Sequence, residues 1–184
     1  MEGSLRLFAL SALPLFGPSE IRWGWAHDAV VEHLEAVTNG EIRNLVIDLP
    51  PRCLKSSLVS VCWPCWEWLR RPDLRYLFSS YDLNLTIRDN NYAREVIKSG
   101  WYQKRWADRY QISSSADAKR LFENDRTGRR LATSVSGTSK SASVNGLGTG
   151  LRLPVPGPDP GPGTGRPISG PSWGSRSWSI RPGW

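Results

Sequence analysis

The stretch LVIDLPPRCLKSSLVSV, residues 45–61, constrains the fold of this chain more than any other. NLVIDLP (44–50) is a short apolar run closed by proline, as suits a buried parallel strand. A tight loop follows, then Lys-Ser-Ser, then apolar residues that predict a helix over 56–69, with Pro64 bending it. This is the layout of a phosphate-binding loop. Such a loop needs backbone N–H groups turned inward, a lysine for the β/γ-phosphates and a hydroxyl for Mg²⁺. Lys55 and Ser56 supply the last two at a predicted helix N-terminus, where the dipole favours an anion. The usual glycines are missing, and Leu49 and Leu54 stand in their places. On local pattern alone, a solvated lysine at a helix start fits equally well.

The surrounding pattern alternates helix and strand. HDAVVEHLEAVTNG (27–40) carries Val30, Val31, Leu34 and Val37 at helical spacing, with Gly40 as the stop. LRYLFSSY (74–81) reads as a second strand, and LNLTIRDNNYAREVIKSG (83–100) as a helix with a polar face. RLFEND and RRLATSVS flank RTG, which predicts a hairpin turning at Gly128. Strand, helix, strand, helix and hairpin together indicate an α/β sheet. LRLFALSALPLF, near the N-terminus, is too short to span a bilayer and lacks the preceding basic residue of a signal peptide; it is expected to pack on the domain. No other run is long enough for a membrane helix.

Charge and cysteine usage narrow the setting. The net charge is +7, which favours a polyanionic partner such as nucleic acid. Cys53, Cys62 and Cys65 are an odd set and suggest no disulfide scaffold, so a reducing compartment is the simpler reading. Cys62-Trp-Pro-Cys65 has the form of a thioredoxin-like redox motif, but there the first cysteine opens a helix. Here both cysteines fall inside a predicted helix among Trp63, Trp66 and Trp68, which favours core cysteines. A single CxxC pair also lacks the second pair of a zinc site. Most tryptophans are expected in the core, and the basic KRWADRY (104–110) and RTGRR (126–130) are expected to be solvated surface.

The segment GEIRNLVIDLPPRCLKSSLVSVCWPCWEWLRRPDLRYLFSSYDLNLTIRDNN closely resembles the large subunit of phage terminases, the ATP-driven DNA-packaging motor. In that family a Pro-Pro-Arg loop ending in Lys-Ser replaces the glycine-rich form, and a strand ending in Ser-Tyr follows the first helix. The similarity extends back to RWGWAHDAVVEHLEAV and forward through GWYQKRW and FENDRTGRRLATSVSG, about residues 21–138 in all. It implies a P-loop NTPase-type, mostly parallel sheet with flanking helices, in an incomplete form. It implies ATP and Mg²⁺ as cofactors, and double-stranded DNA, a small terminase subunit and a portal protein as partners, in the host cell cytoplasm and with no membrane.

The resemblance also assigns roles. Lys55 would bind the β/γ-phosphates and Ser56 the Mg²⁺, with Ser57 beside it. Arg52 would reach the γ-phosphate as the catalytic charge stabiliser. Pro50 and Pro51 would stiffen the approach, and the Cys53 and Leu54 amides would line the cradle. The segment around Trp25 and His27 corresponds to the adenine side; His27 either contacts the base or caps its helix. Ser80 and Tyr81 end the second strand on the edge where α/β ligands bind, or serve only in strand packing.

Hydrolysis in this motor family also needs a later strand ending in acidic residues, one for Mg²⁺ and one to orient water. After Asp125 the sole acid is Asp159, within PGPDPGP. The expected organisation is therefore an N-terminal segment (1–20), a partial ATPase domain (21–144) and a Pro/Gly-rich tail (145–184) that is disordered or only loosely laid on the domain and holds no catalytic residue. The alternatives to a truncated packaging ATPase are a non-catalytic nucleotide- or DNA-binding remnant and a Cys-x-Pro-Cys oxidoreductase.

Overall fold

The computed structural model describes residues 2–17, 20–113 and 119–135, and the backbone of 177–180. Helix α1 (Leu5–Ala12) opens on Ser4, whose Oγ accepts from Leu7 N. It buries Leu5, Phe8, Ala9 and Ala12, so the N-terminal apolar run packs on the domain as expected. Helix α2 (Trp25–Thr38) buries Val30, Val31 and Leu34. It ends where Gly40 adopts φ 82°. Glu41 N donates to Ala36 O (2.9 Å) and Gly40 N to Val37 O (3.1 Å), the pair of bonds of a Schellman stop.

Strand β1 (Asn44–Ile47) leads into the Lys-Ser loop. The chain is helical from residue 55 to residue 70, but not uniformly. Ser57–Cys62 is a π-helical turn, and α3 (Trp63–Arg70) continues it. Pro64, expected as a bend, thus widens the helix instead. Strand β2 (Arg75–Ser80) buries Tyr76 and Phe78. Helix α4 (Leu83–Lys98) follows, capped by Asp82, and α5 (Gly100–Trp106) starts at once on Ser99. The predicted hairpin forms: β3 (Leu121–Glu123) pairs antiparallel with β4 (Arg129–Ser134).

The fold is mixed α/β. A three-stranded sheet runs β2-β4-β3, with β2 parallel to β4 from Arg75↔Arg129 to Ser80↔Ser134. Strand β1 belongs to a separate parallel pair with β5 (Ser177–Ile180), in register Asn44↔Ser177 to Ile47↔Ile180. The strand at 177–180 pairs with β1, whereas the sequence predicts a tail that is disordered or only loosely laid on the domain. Its sequence, Ser-Trp-Ser-Ile, has a strand's period of two, and the edge of β1 offers unpaired backbone groups. The remainder of the predicted tail, 145–176 and 181–184, lies outside the described residues. Among the described residues no helix is long and apolar enough to cross a membrane.

The hairpin turn is set by its neighbours. Asn124 Oδ1 accepts from Arg126 N (3.0 Å) and Gly128 N (2.8 Å), while Asn124 Nδ2 donates to Pro72 O (2.8 Å). Thr127, not Gly128, carries the left-handed φ of 68°. Glycine is needed at 128 for space: a Cβ there would stand 2.0 Å from Pro72 O. Gly128→Ala should therefore destabilise the protein by about 1–3 kcal/mol through overpacking. Urea denaturation should show a lower midpoint at an unchanged slope. An unshifted midpoint would mean that the turn is not clamped on Pro72.

Candidate phosphate-binding site

The loop between β1 and the long helix is built without glycine but in glycine's conformations. Arg52 has φ 68° and Leu54 φ 53°, both left-handed. A non-glycine residue pays about 1–2 kcal/mol for that region. Such strain persists only where the surroundings over-determine it, and it gathers at functional sites. Here the surroundings are Leu49, which is buried, and Cys53 and Leu54, which pack on the core from either side of the turn. Leu54 O then accepts from Leu58 N at 2.9 Å, the bond that starts the helix. The N–H groups of Lys55, Ser56 and Ser57 lie ahead of that first donor. They are the unsatisfied donors of a helix start, which favour an anion.

The side chains at this point suit the same chemistry. Lys55 is half-buried, Ser56 exposed and Ser57 half-buried; Pro51 and Arg52 are exposed on the loop. Lys55 and Arg52 form no ion pair with any described residue. Unpaired cations beside the free amides of a helix start are the chemistry that an anion site needs. Thus the structure brings Pro51, Arg52, Cys53, Leu54, Lys55, Ser56 and Ser57 to one helix start. His27 stands at the start of a different helix. Its Nδ1 accepts from Gly24 N (3.0 Å) and its ring lies tilted against Trp23 at 5.3 Å, so it serves as a cap there.

The other sequence candidates separate clearly. Cys62 and Cys65 are both fully buried within the helix, and neither opens it. Burial, and then the neighbouring Cys65, pushes the Cys62 thiol well up; burial pushes Cys65 up to about 12, with Arg130 opposing. Thiols held protonated and out of solvent are poor nucleophiles, unlike those of a redox site. Tyr81 is 82% exposed at the end of β2, so it is not packed in the strand. Trp63, Trp66, Trp68 and Trp106 are core residues, as expected, whereas Trp25 is 66% exposed.

One basic residue contradicts its reading. Arg126 and Arg129 are surface residues as expected, Arg129 pairing with Glu123 at 2.6 Å. Arg130 is fully buried between the rings of Phe78 (4.5 Å) and Phe122 (5.6 Å), not solvated. Burial lowers its pKa from the ordinary arginine value. The signal was available in the period of two: Arg130 shares its side of β4 with Ala132, which is buried, and is opposite Phe122 in the register.

Two of the carboxylates have structural partners, and Asp48 is exposed between β1 and the loop. Asp82 caps α4 by accepting from Asn84 N at 2.9 Å. Asp89 is buried and bound by Arg88 (2.9 Å), and desolvation raises its pKa. The ends of β2 and β4 present Ser79, Ser80, Thr133 and Ser134. Among the described residues no group of three or more His, Cys, Asp or Glu side chains is placed to hold a metal ion. No protein-family model, curated protein or solved structure matches the chain.

The left-handed turn makes a direct prediction at Leu54. Leu54→Val should destabilise by about 1–2 kcal/mol, because a β-branched side chain is a severe outlier at positive φ. Leu54→Gly should cost less than about 1 kcal/mol, since relief of strain offsets lost packing and added chain entropy. Thermal melts of both variants check this. Equal losses would show that Leu54 is not held left-handed.

Proposed function

We propose that residues 50–57 form a phosphate-binding loop for ATP, and that the chain is the ATP-binding portion of a terminase-type DNA-packaging ATPase with a P-loop type of fold. The observation that carries this reading is the left-handed backbone at Leu54, immediately ahead of Lys55 at a helix start. Leucine stands where the usual motif has glycine, and the chain adopts glycine's geometry there at a cost. A solvated lysine at an ordinary helix start needs no such strain.

In this reading the Lys55 ammonium and the amides of residues 55–57 hold the β/γ-phosphates, and Arg52 adds charge on the open side of the loop. The exposed Ser56 hydroxyl is the one Mg²⁺ ligand that the loop offers, and the described carboxylates do not complete a metal site. Magnesium would therefore arrive with the nucleotide and neutralise phosphate charge. Duplex DNA, a small terminase subunit and a portal protein belong to the same proposal, on the resemblance of residues 21–138. Lys55→Ala should remove at least one charge-assisted phosphate contact, worth roughly 1.5–3 kcal/mol, about 10- to 100-fold in ATP affinity. Isothermal titration with ATP decides it: equal affinity in wild type and variant refutes the assignment.

Binding without turnover is the reading favoured for the chain by itself. The ends of β2 and β4 carry hydroxyls, and Asp82 and Asp89 are engaged in a helix cap and an ion pair with the half-exposed Arg88. The later strand ends offer no acidic residue to orient water, and loss of such a group lowers hydrolysis by orders of magnitude. Purified protein should bind ATP yet release phosphate no faster than Lys55→Ala. A robust phosphate release that depends on Lys55 would reveal a catalytic acid in the chain.

A further inference from the structure

The π-helical turn has a chemical cause in the sequence. In an α-helix the carbonyl of residue 60 accepts from the N–H of residue 64. Residue 64 is proline, which has no N–H and whose ring crowds that carbonyl. The helix answers by widening over Ser57–Cys62, with Trp63 N donating to Leu58 O, five residues back. The Ser60 carbonyl, deprived of its α-helical donor, accepts from Arg130 Nη2 at 2.6 Å.

Arg130 reaches that carbonyl at a cost. It is fully buried, has no ion pair among the described residues, and its Nη1 has no hydrogen-bond partner there. Its Nε has only a long bond to Asn90 Oδ1, at 3.4 Å. A buried guanidinium with an unmet donor is unfavourable, and an apolar residue between Phe78 and Phe122 would avoid the penalty. The short bond to Ser60 is what the guanidinium supplies and an apolar side chain does not.

We propose that Arg130 is a positioning residue for the phosphate loop: by holding the Ser60 carbonyl it locks the wide turn, and so sets the direction in which Lys55 and Ser56 face. The inference rests on the phosphate-loop reading above. Its physical basis is rotation. If the wide turn relaxes to α-helix, everything ahead of it turns by about 100° around the helix axis, one residue's worth. Lys55 and Ser56 immediately precede that turn. The left-handed residues Arg52 and Leu54 lead into the same helix start, so their geometry depends on it.

The test uses the full chain, with Arg130→Met, Arg130→Lys, Pro64→Ala and the Pro64→Ala/Arg130→Met double variant. Amide hydrogen exchange is read by residue, and ATP affinity by titration. Both Arg130 variants should speed exchange at residues 58–63 about tenfold or more, while Tyr76–Phe78 keep their protection. ATP affinity should fall by a similar factor. Lysine keeps the charge but not the two-pronged head, so it should not rescue. Pro64→Ala returns an N–H to the helix, and in that background Arg130→Met should weaken ATP binding less than threefold. Arg130→Lys carries the test if Arg130→Met fails to fold. Wild-type behaviour of Arg130→Lys at residues 58–63, or acceleration spread evenly over the sheet, overturns the tether. If the wild type binds no ATP but the selective exchange pattern holds, the phosphate reading fails and the tether stands. If the wild type binds ATP and exchange is unchanged in both Arg130 variants, the tether alone fails.

Discussion

Burial of the helix that follows the Lys-Ser loop organises everything else. Every residue from Val61 to Leu69 is buried, so this helix has no solvent face along that stretch and is covered from several directions. Its indoles are large and each carries an N–H that must be matched inside the protein. Trp63 donates to Thr38 Oγ1 (2.8 Å), Trp66 to Glu2 O (3.0 Å) and Trp68 to Leu74 O (2.9 Å). Those bonds tie α2, the N-terminal segment and the start of β2 to one element. Trp68 also meets Tyr110 and Phe122 edge to face, at 5.5 and 5.8 Å, which seats the hairpin and the segment after α5 on the same helix.

Buried polar groups then fix the direction of the packing. Glu67 is 1% exposed, yet its Oε2 accepts from Tyr76 OH (2.8 Å) and its Oε1 from Thr38 Oγ1 (2.9 Å). A carboxylate in the core is tolerated only with such partners, and they bind α2, α3 and β2 in one arrangement. Arg130 does the same from the other side, between β4 and the wide turn. The apolar contacts supply most of the cohesion, while these directed bonds select which of many compact packings is adopted.

The loop takes its shape from that frame. With the helix held by its buried end, the chain between β1 and Lys55 has little freedom, and two of its residues are driven to left-handed geometry without glycine. Strain of this kind makes the loop pre-formed. A pre-formed loop need not be reordered when it binds a ligand, which lowers the entropic cost of binding.

Much of this was legible in the residues themselves. Apolar periods of 3.6 located α2 and α4, and short apolar runs located β1 and β2. Gly40 marked a helix stop, and the hairpin around Gly128 followed from its flanking strands. These features are local, decided by spacing, capping and the steric demands of glycine and proline within a few residues. The loop's Lys55 and Ser56 were equally visible as a candidate anion site. What only the tertiary structure decided are the long-range matters. Leu54 is left-handed where buried Leu49 and its own side chain pack on the core, not because leucine prefers that region. Pro64 goes with a wide turn rather than a kink, and the donor that meets the freed Ser60 carbonyl is a guanidinium from a strand 66 residues later than the proline. Arg130 reads as surface in a run of basic residues, and it is core because β4 pairs with both β2 and β3 and presents that position to Phe78 and Phe122. Spacing in sequence carries no information about which distant group will supply a missing hydrogen bond, and that is where the fold, not the motif, sets the geometry of the site.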